Sequence, residues 1–416
     1  MSRSPGGVVV TGIGVAGPGG AGVDRFLTAL RGGVTTVARR DAGEGRTGGS
    51  GPQSRRGRYA ALVEDPVDAG QVPAAAWRRL DRASRLAVAA AAEALAMARV
   101  SPPESAEVGV VLGTMSAGCA PLRRLLATLF REGPDAVSPL DFPFTVHNAA
   151  AGQCAILHGL KGPNLTTCRM EASGLDAIAQ GARLIADGVC EAVLAGGVDE
   201  VVEPIVEGWD RWRITARGWG RFRGPFDRGR SGFAPGEGVY LLLLESRERA
   251  RRRGVEALAG VGGAAAVHAS GPTYGWPSGP APVSSAMRGA LESAGLTIER
   301  IDALFASANG ARVLDELEAH AIDEVAGDAL RRLPVTSIKG AMGESGAASA
   351  GSAVAAVLAI QAGFVPPVAA LVDFDPAFRL RPVRGEALRR PVAAALVNGL
   401  GTGGSIVSLV LSRPGL

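Results

Sequence analysis

One stretch, Gly162 to Asp176, constrains the chain more than any other, and it reads GPNLTTCRMEASGLD. An extended run, Leu165 to Met170, meets a helix expected to start near Ala172. An elbow of this kind presents one side chain at a helix N-terminus, where the dipole and the free N–H groups favour negative charge. A cysteine there would have its thiolate favoured and could act as a nucleophile. In this chain the place is taken by Glu171.

Around the elbow, apolar runs of strand length alternate with runs of helical spacing. Val8–Thr11, Val108–Gly113, Ala192–Asp199, Ile301–Ala306 and Ser405–Leu411 read as strands, and Ser231–Leu244 as a turn feeding another. Asp24–Arg31, Asp81–Ala98, Pro121–Arg131, Asn148–His158, Leu175–Asp187, Glu245–Arg253, Val283–Ala294, Asp315–Val325 and Ser349–Ala362 read as helices. Val255–Ala269 opens a second strand-rich half. Such alternation predicts a layered α/β architecture. AVLAGG from Ala192 and ALFASANG from Ala303 look like equivalent strand-to-loop units, a sign of internal duplication.

The 416 residues, 47% of them hydrophobic, are enough for a large core, and the length suggests two or three domains. A formal charge of +4 does not point to nucleic acid, but suits a local basic patch for an acidic partner. Glu207–Arg230 sets Trp209, Trp212 and Trp219 among seven arginines. That pattern can serve nucleic-acid binding, but its Gly and Asp residues favour an ordered cover loop or a subunit contact. Asp41–Arg58, rich in Gly, Ser and Arg, reads as a mobile solvated loop, with partner contact as the alternative. Cys119, Cys154, Cys168 and Cys190 lack paired metal spacing and read as buried thiols in a reducing compartment. The opening MSRSPGGVVVTGIGVAG has no convincing cleavage site. The apolar run Ala347–Phe364 is interrupted by Ser and Gly and falls short of the ~20 residues of a membrane span. The expectation is a soluble, cytoplasmic protein without membrane or nucleic-acid contacts and without a metal.

Five segments in order resemble the β-ketoacyl synthases of the thiolase superfamily: Val8–Val15 (VVVTGIGV), the elbow, Pro225–Gly238 (PFDRGRSGFAPGEG), Ser337–Gly343 (SIKGAMG) and Asn398–Gly404 (NGLGTGG). The resemblance covers almost the whole chain. It implies a thiolase-like five-layered αβαβα fold of two similar halves, 7–254 and 255–416, and an obligate dimer. The strand leading into the elbow, 162–176, would lie near the dimer seam.

In that family the elbow pattern runs GPN, six further residues, the nucleophilic Cys, then A-S-G-x-D-A. Counting forward from Gly162-Pro163-Asn164, or back from Ala172-Ser173-Gly174-Leu175-Asp176-Ala177, gives Glu171 both ways. Cys168 falls three residues too early. Two histidines of the family support decarboxylation and stabilise the enolate or oxyanion. By alignment to its V-x-A-H-G-T and K-x-x-x-G-H segments, Asn309 stands for the first and Glu344 for the second, while Lys339 is retained. His147, His158, His268 and His320 fall outside these motifs and read as core, turn or surface residues. Two unpaired buried carboxylates are costly. Lys339 is therefore expected to neutralise Glu171 or Glu344, or desolvation to protonate one of them.

One branch of the family has such a site: the chain-length factor, or ketosynthase β subunit, of type II polyketide synthases. Ala151-Gly152-Gln153 with Ile156–Gly159, Gly196–Asp199 and Leu304-Phe305-Ala306 look like that branch, which usually has Gln where this chain has Glu171. The resemblance implies a heterodimer with a catalytic α subunit that supplies Cys, His and His. The growing chain would ride on acyl carrier protein, whose phosphopantetheine arm enters through the partner, with no cofactor bound directly. This subunit would shape the tunnel that limits chain length. By position, Met115, Cys119, Ala120, Phe142 and Phe144 are candidates for tunnel and interface, Phe142 and Phe144 as caps, with ordinary core residues as the alternative. The rival readings are a malonyl-carrier-protein decarboxylase that makes starter units, a homodimeric scaffold, and catalysis through Cys168.

Overall fold

The computed structural model describes residues 7–40, 58–64, 67, 70, 72–218, 220–272 and 274–415. The loop expected over Asp41–Arg58 lies outside them except for Arg58, which opens a short strand, and Trp219 lies outside them too. The first half contains β1 (Val8–Gly17), α1 (Arg82–Met97), β2 (Val108–Gly113), α2 (Cys119–Glu132), α3 (Ala149–His158) and β3 (Asn164–Thr167). It continues with α4 (Ser173–Ala186), β4 (Ala192–Asp199), α5 (Glu203–Trp212) and β5 (Gly238–Ser246). The second contains β6 (Ala259–His268), α6 (Ala281–Ala294), β7 (Ala303–Phe305), α7 (Arg312–Ala326), β8 (Val335–Thr336) and α8 (Ala348–Ala362). It closes with β9 (Phe364–Val365), β10 (Leu388–Arg389), β11 (Ala394–Gly401) and β12 (Ser405–Ser412).

The main strands run in the order β8-β7-β11-β12-β6-β1-β5-β4-β2-β3. Counted within its own half, each set of five has the same order and the same directions. The second strand lies parallel to the third and fourth; the fifth is antiparallel to the fourth and first. The chain is therefore two copies of one topology. The equivalent strands are β4 with β11 and β2 with β7. The likeness of AVLAGG to ALFASANG thus pairs non-equivalent strands, because an apolar run ending in a loop carries no mark of its place in a sheet.

Five layers follow from how the faces are buried. Helices α1 and α3 cover the outer face of the first set of strands, and α6 and α7 that of the second. Between them lie α4 and α8, which pack on each other and on strands of both sets. Helix α8, ASAGSAVAAVLAIQA, is buried for almost its whole length because its small residues admit neighbours on every side. Among the described residues no helix is long and apolar enough to cross a membrane.

Several expectations shift at element ends. The segment from Glu207 is not a loop throughout: helix α5 runs to Trp212, with Trp209 edge-on to Phe233 and Trp212 stacked on Tyr274 at 3.9 Å. Glu245 belongs to β5, not to the helix that begins at Arg247. Asn398–Gly401 is strand, and only Thr402–Gly404 form the turn.

Candidate functional site

The elbow forms where β3 ends at Thr167 and α4 begins at Ser173. The extended run is shorter than expected because Met170 turns left-handed, at φ 50. Such a backbone is unfavourable for a residue with a Cβ and persists only where its surroundings enforce it. Ser173 supplies part of that enforcement: its hydroxyl accepts the Arg169 N–H at 2.8 Å and donates to the Met170 carbonyl at 2.6 Å. Glu171 is thereby aimed inward, and it is 1% exposed.

The turn after β11 meets the Glu171 carboxylate, which accepts the Thr402 N–H at 2.7 Å and the Thr402 hydroxyl at 3.1 Å. Among the described residues no cation lies within ion-pair distance of it. Burial pushes its pKa up, opposed by the bonds from Thr402 and the more remote Lys339.

Lys339 pairs instead with Glu344, Nζ to Oε2 at 2.7 Å, both side chains fully buried. The same oxygen accepts Asn309 Nδ2 at 2.8 Å, and Oε1 accepts the Ser345 N–H at 3.0 Å. Lys339 also donates to the Ser307 hydroxyl at 2.9 Å. Burial lifts Glu344 to about 7, against the lowering by Lys339, and the Glu171 charge adds to the lift. The expected neutralisation thus falls on Glu344, and Asn309, Lys339 and Glu344 come together as one hydrogen-bonded group.

Two further carboxylates that sequence reasoning missed hold this group in place. Asp315 accepts the N–H groups of Asn309, Gly310 and Phe226 at 3.0, 3.1 and 2.8 Å. Glu318 accepts the N–H groups of Ser307 and Ala308 and Asn398 Nδ2 at 2.9, 2.6 and 3.0 Å. Burial raises both, Asp315 to about 6. The available signal was their position: Asp315 and Glu318 share the face of α7 that carries Leu314, Ala321 and Ile322.

The tunnel candidates form a different group. A buried Asp199 accepts the N–H of Met115 at 2.9 Å and that of Ser116 at 2.7 Å, fixing the loop that leads to Cys119 and Ala120 on α2. Phe142 stands 65% exposed on a short 3-10 turn, and the half-buried Phe144 packs on the outer core beside α1 and α3. The turn that carries them packs on α2. Cys168, expected to be buried, is exposed, because it follows β3, the outermost strand of its set. Cys154 is buried and Cys119 and Cys190 partly so. His147 and His158 donate to the carbonyls of Ala117 and Val88, while His268 and His320 are exposed. No group of three metal-ligating side chains occurs among the described residues.

Residues 6–250 match the beta-ketoacyl synthase N-terminal domain and residues 258–371 its C-terminal domain. The tetracenomycin polyketide synthase ketoacyl synthase alpha subunit of Streptomyces glaucescens is 34% identical, over 98% of this chain and 97% of that one. The beta subunit of the same synthase is 31% identical, over 99% of this chain and 100% of its own. Among solved structures, the ishigamide ketosynthase/chain length factor matches with a TM-score of 0.87 and 28% identity, over 99% and 100% of the two chains. The duplicated topology, the elbow and these matches agree, and the chain belongs to the β-ketoacyl synthase family.

Proposed function

We propose that this chain is the chain-length-factor subunit of a type II polyketide synthase, without condensing activity of its own. One observation carries the reading: Glu171, aligned with the family's nucleophilic Cys, is buried and tied to Thr402. A carboxylate in that place cannot carry the acyl chain as a thioester. Asn309 and Glu344, aligned with the two histidines, bind each other and Lys339, leaving no imidazole to stabilise an enolate. The division of the chain into halves 7–254 and 255–416 belongs to the same proposal.

The partner would be a Cys-bearing ketosynthase α subunit. Among the described residues strand β3 is the unpaired edge of its set, and an exposed edge is a template for pairing. On α2 and the segment after it, Leu126, Phe130, Leu140, Phe142 and Val146 leave large apolar side chains exposed. Met115, Cys119 and Ala120 would then line the shared tunnel, with Phe142 and Phe144 toward the partner. Acyl carrier protein would deliver the chain on its phosphopantetheine arm through the partner, in the cytoplasm.

Co-expression with the Cys-bearing ketosynthase tests this. A stable one-to-one complex is expected, with products that shorten when Ala120 is changed to Phe. A homodimer that ignores the ketosynthase would favour a scaffold, and CO2 release from malonyl-carrier protein by the chain alone would favour a decarboxylase.

A further inference from the structure

At the end of the second half remote from the elbow, the chain gathers arginines that the functional reading does not use. Asn309, Lys339 and Thr402 all follow the C-terminal ends of β7, β8 and β11. At the opposite ends of these parallel strands, a concavity of about 440 Å³ is lined by Pro334, Arg381, Val383, Arg384, Leu388 and Arg389, with Glu386 also in its wall. Its three arginines lie beyond residue 371, where the C-terminal family match stops. In strand order β8 and β3 are opposite extremes, so this face is not the edge assigned to the ketosynthase partner.

The backbone under the arginines is fixed. Val335 donates to the Arg381 carbonyl at 2.9 Å and accepts the Val383 N–H at 3.0 Å, so this segment runs as an extra edge along β8. Arg389 sits on β10, paired with Phe364 of β9. The side chains are partly held too: Arg381 donates to the Arg331 carbonyl at 3.3 Å, and Arg384 lies over the Phe374 ring at 5.9 Å. Among the described residues no carboxylate comes within ion-pair distance of Arg381, Arg384 or Arg389, whereas neighbouring Arg379 and Arg390 pair with Asp323 and Asp302. Three unneutralised guanidiniums on one concave wall repel each other unless an anion joins them. Planar forks of this kind match phosphate oxygens, and partial fixing lowers the entropy lost on binding.

We propose that Arg381, Arg384 and Arg389 form a binding site for a diphosphate group, either free or carried on a nucleotide. The site stands apart from the acyl chemistry and does not depend on the chain-length-factor reading.

The test is calorimetric titration of the full chain with inorganic pyrophosphate and with ADP, with sulfate as a simple-charge control. Saturable binding is expected, at least tenfold tighter than sulfate and weakened at least tenfold by Arg389→Ala or Arg381→Ala. Arg211→Ala, in the other arginine-rich segment, should leave it unchanged. Tighter binding of ADP than of pyrophosphate would assign the nucleotide-borne source, and equal binding the free one. Phenylglyoxal labelling of the unaltered chain, read by mass spectrometry, needs no variant: pyrophosphate should slow labelling of the three arginines selectively. Binding no tighter than sulfate, equal loss in Arg211→Ala, uniform protection of all arginines, or a preference for polyglutamate would each overturn the proposal.

Discussion

Lys339 and Glu344 form an ion pair in which neither side chain reaches solvent, Nζ to Oε2 at 2.7 Å. Removing one member of such a pair leaves an uncompensated buried charge. Lys339→Met is therefore predicted to destabilise the fold by about 3–5 kcal/mol near pH 8. Near pH 5 the loss should be smaller, because Glu344 then takes up a proton. Chemical denaturation at the two pH values checks this, and an equal loss at both would refute it.

Glu344 itself makes stability depend on pH. Its folded pKa of about 7 lies above the ordinary 4.5, so the native state holds the proton more tightly than the unfolded chain. This contribution is complete below the ordinary value and fades as pH rises to the folded one. Glu344→Gln should therefore make the decline from about pH 5 to pH 8 shallower, by on the order of 1–3 kcal/mol. Glu171, Glu318 and Asp315, also raised by burial, leave a residual slope of the same sign. A variant curve parallel to that of the unaltered chain would count against the assignment.

The elbow depends on a close approach that only glycine permits. A Cβ on Gly113 would lie 2.0 Å from the Ser173 carbonyl oxygen, at the first turn of α4. Gly113→Ala should cost on the order of 2–4 kcal/mol, as overpacking against backbone has nowhere to relax. A melting temperature within 1 °C of the original (a shift worth about 1 kcal/mol or less for a chain of this length) would show that the elbow can move aside.

Edge pairing gives a prediction at the surface. Leu165→Glu on β3, or Phe130→Glu on α2, should weaken association with the co-expressed ketosynthase at least tenfold, about 1.4 kcal/mol. Both side chains are exposed in the single chain, so its own melting should hardly change. Sizing of the complex checks the first point and thermal denaturation the second.

Periodicity and local chemistry made much of this legible. Helix α1, strands β2 and β4 and helix α8 fall within a residue or two of their expected spans, because their apolar patterns match the faces they bury. The pairing of Lys339 with an acid followed from the cost of burying charge. What escaped was set by distant parts of the chain. Asn398–Gly401 reads as a glycine loop but is strand, since its glycines serve neighbours: a Cβ on Gly401 would lie 2.4 Å from the Arg169 carbonyl oxygen. The exposure of Cys168 depends on no strand lying beyond β3 among the described residues, a fact of topology. Asp315 and Glu318 went unremarked because the loops whose N–H groups they bind are far from obvious in sequence.

Strand β1 bonds to β5 along most of its length and to β6 through Val8, Val9 and Val10. Its neighbours arrive more than two hundred residues later, so this seam can close only after most of the polypeptide exists. Neither copy of the topology is then free to mature as an independent unit, and assembly is expected to be slow and late, as for other chains rich in remote contacts. Damage to those three valines would be felt on both sides of the molecule at once.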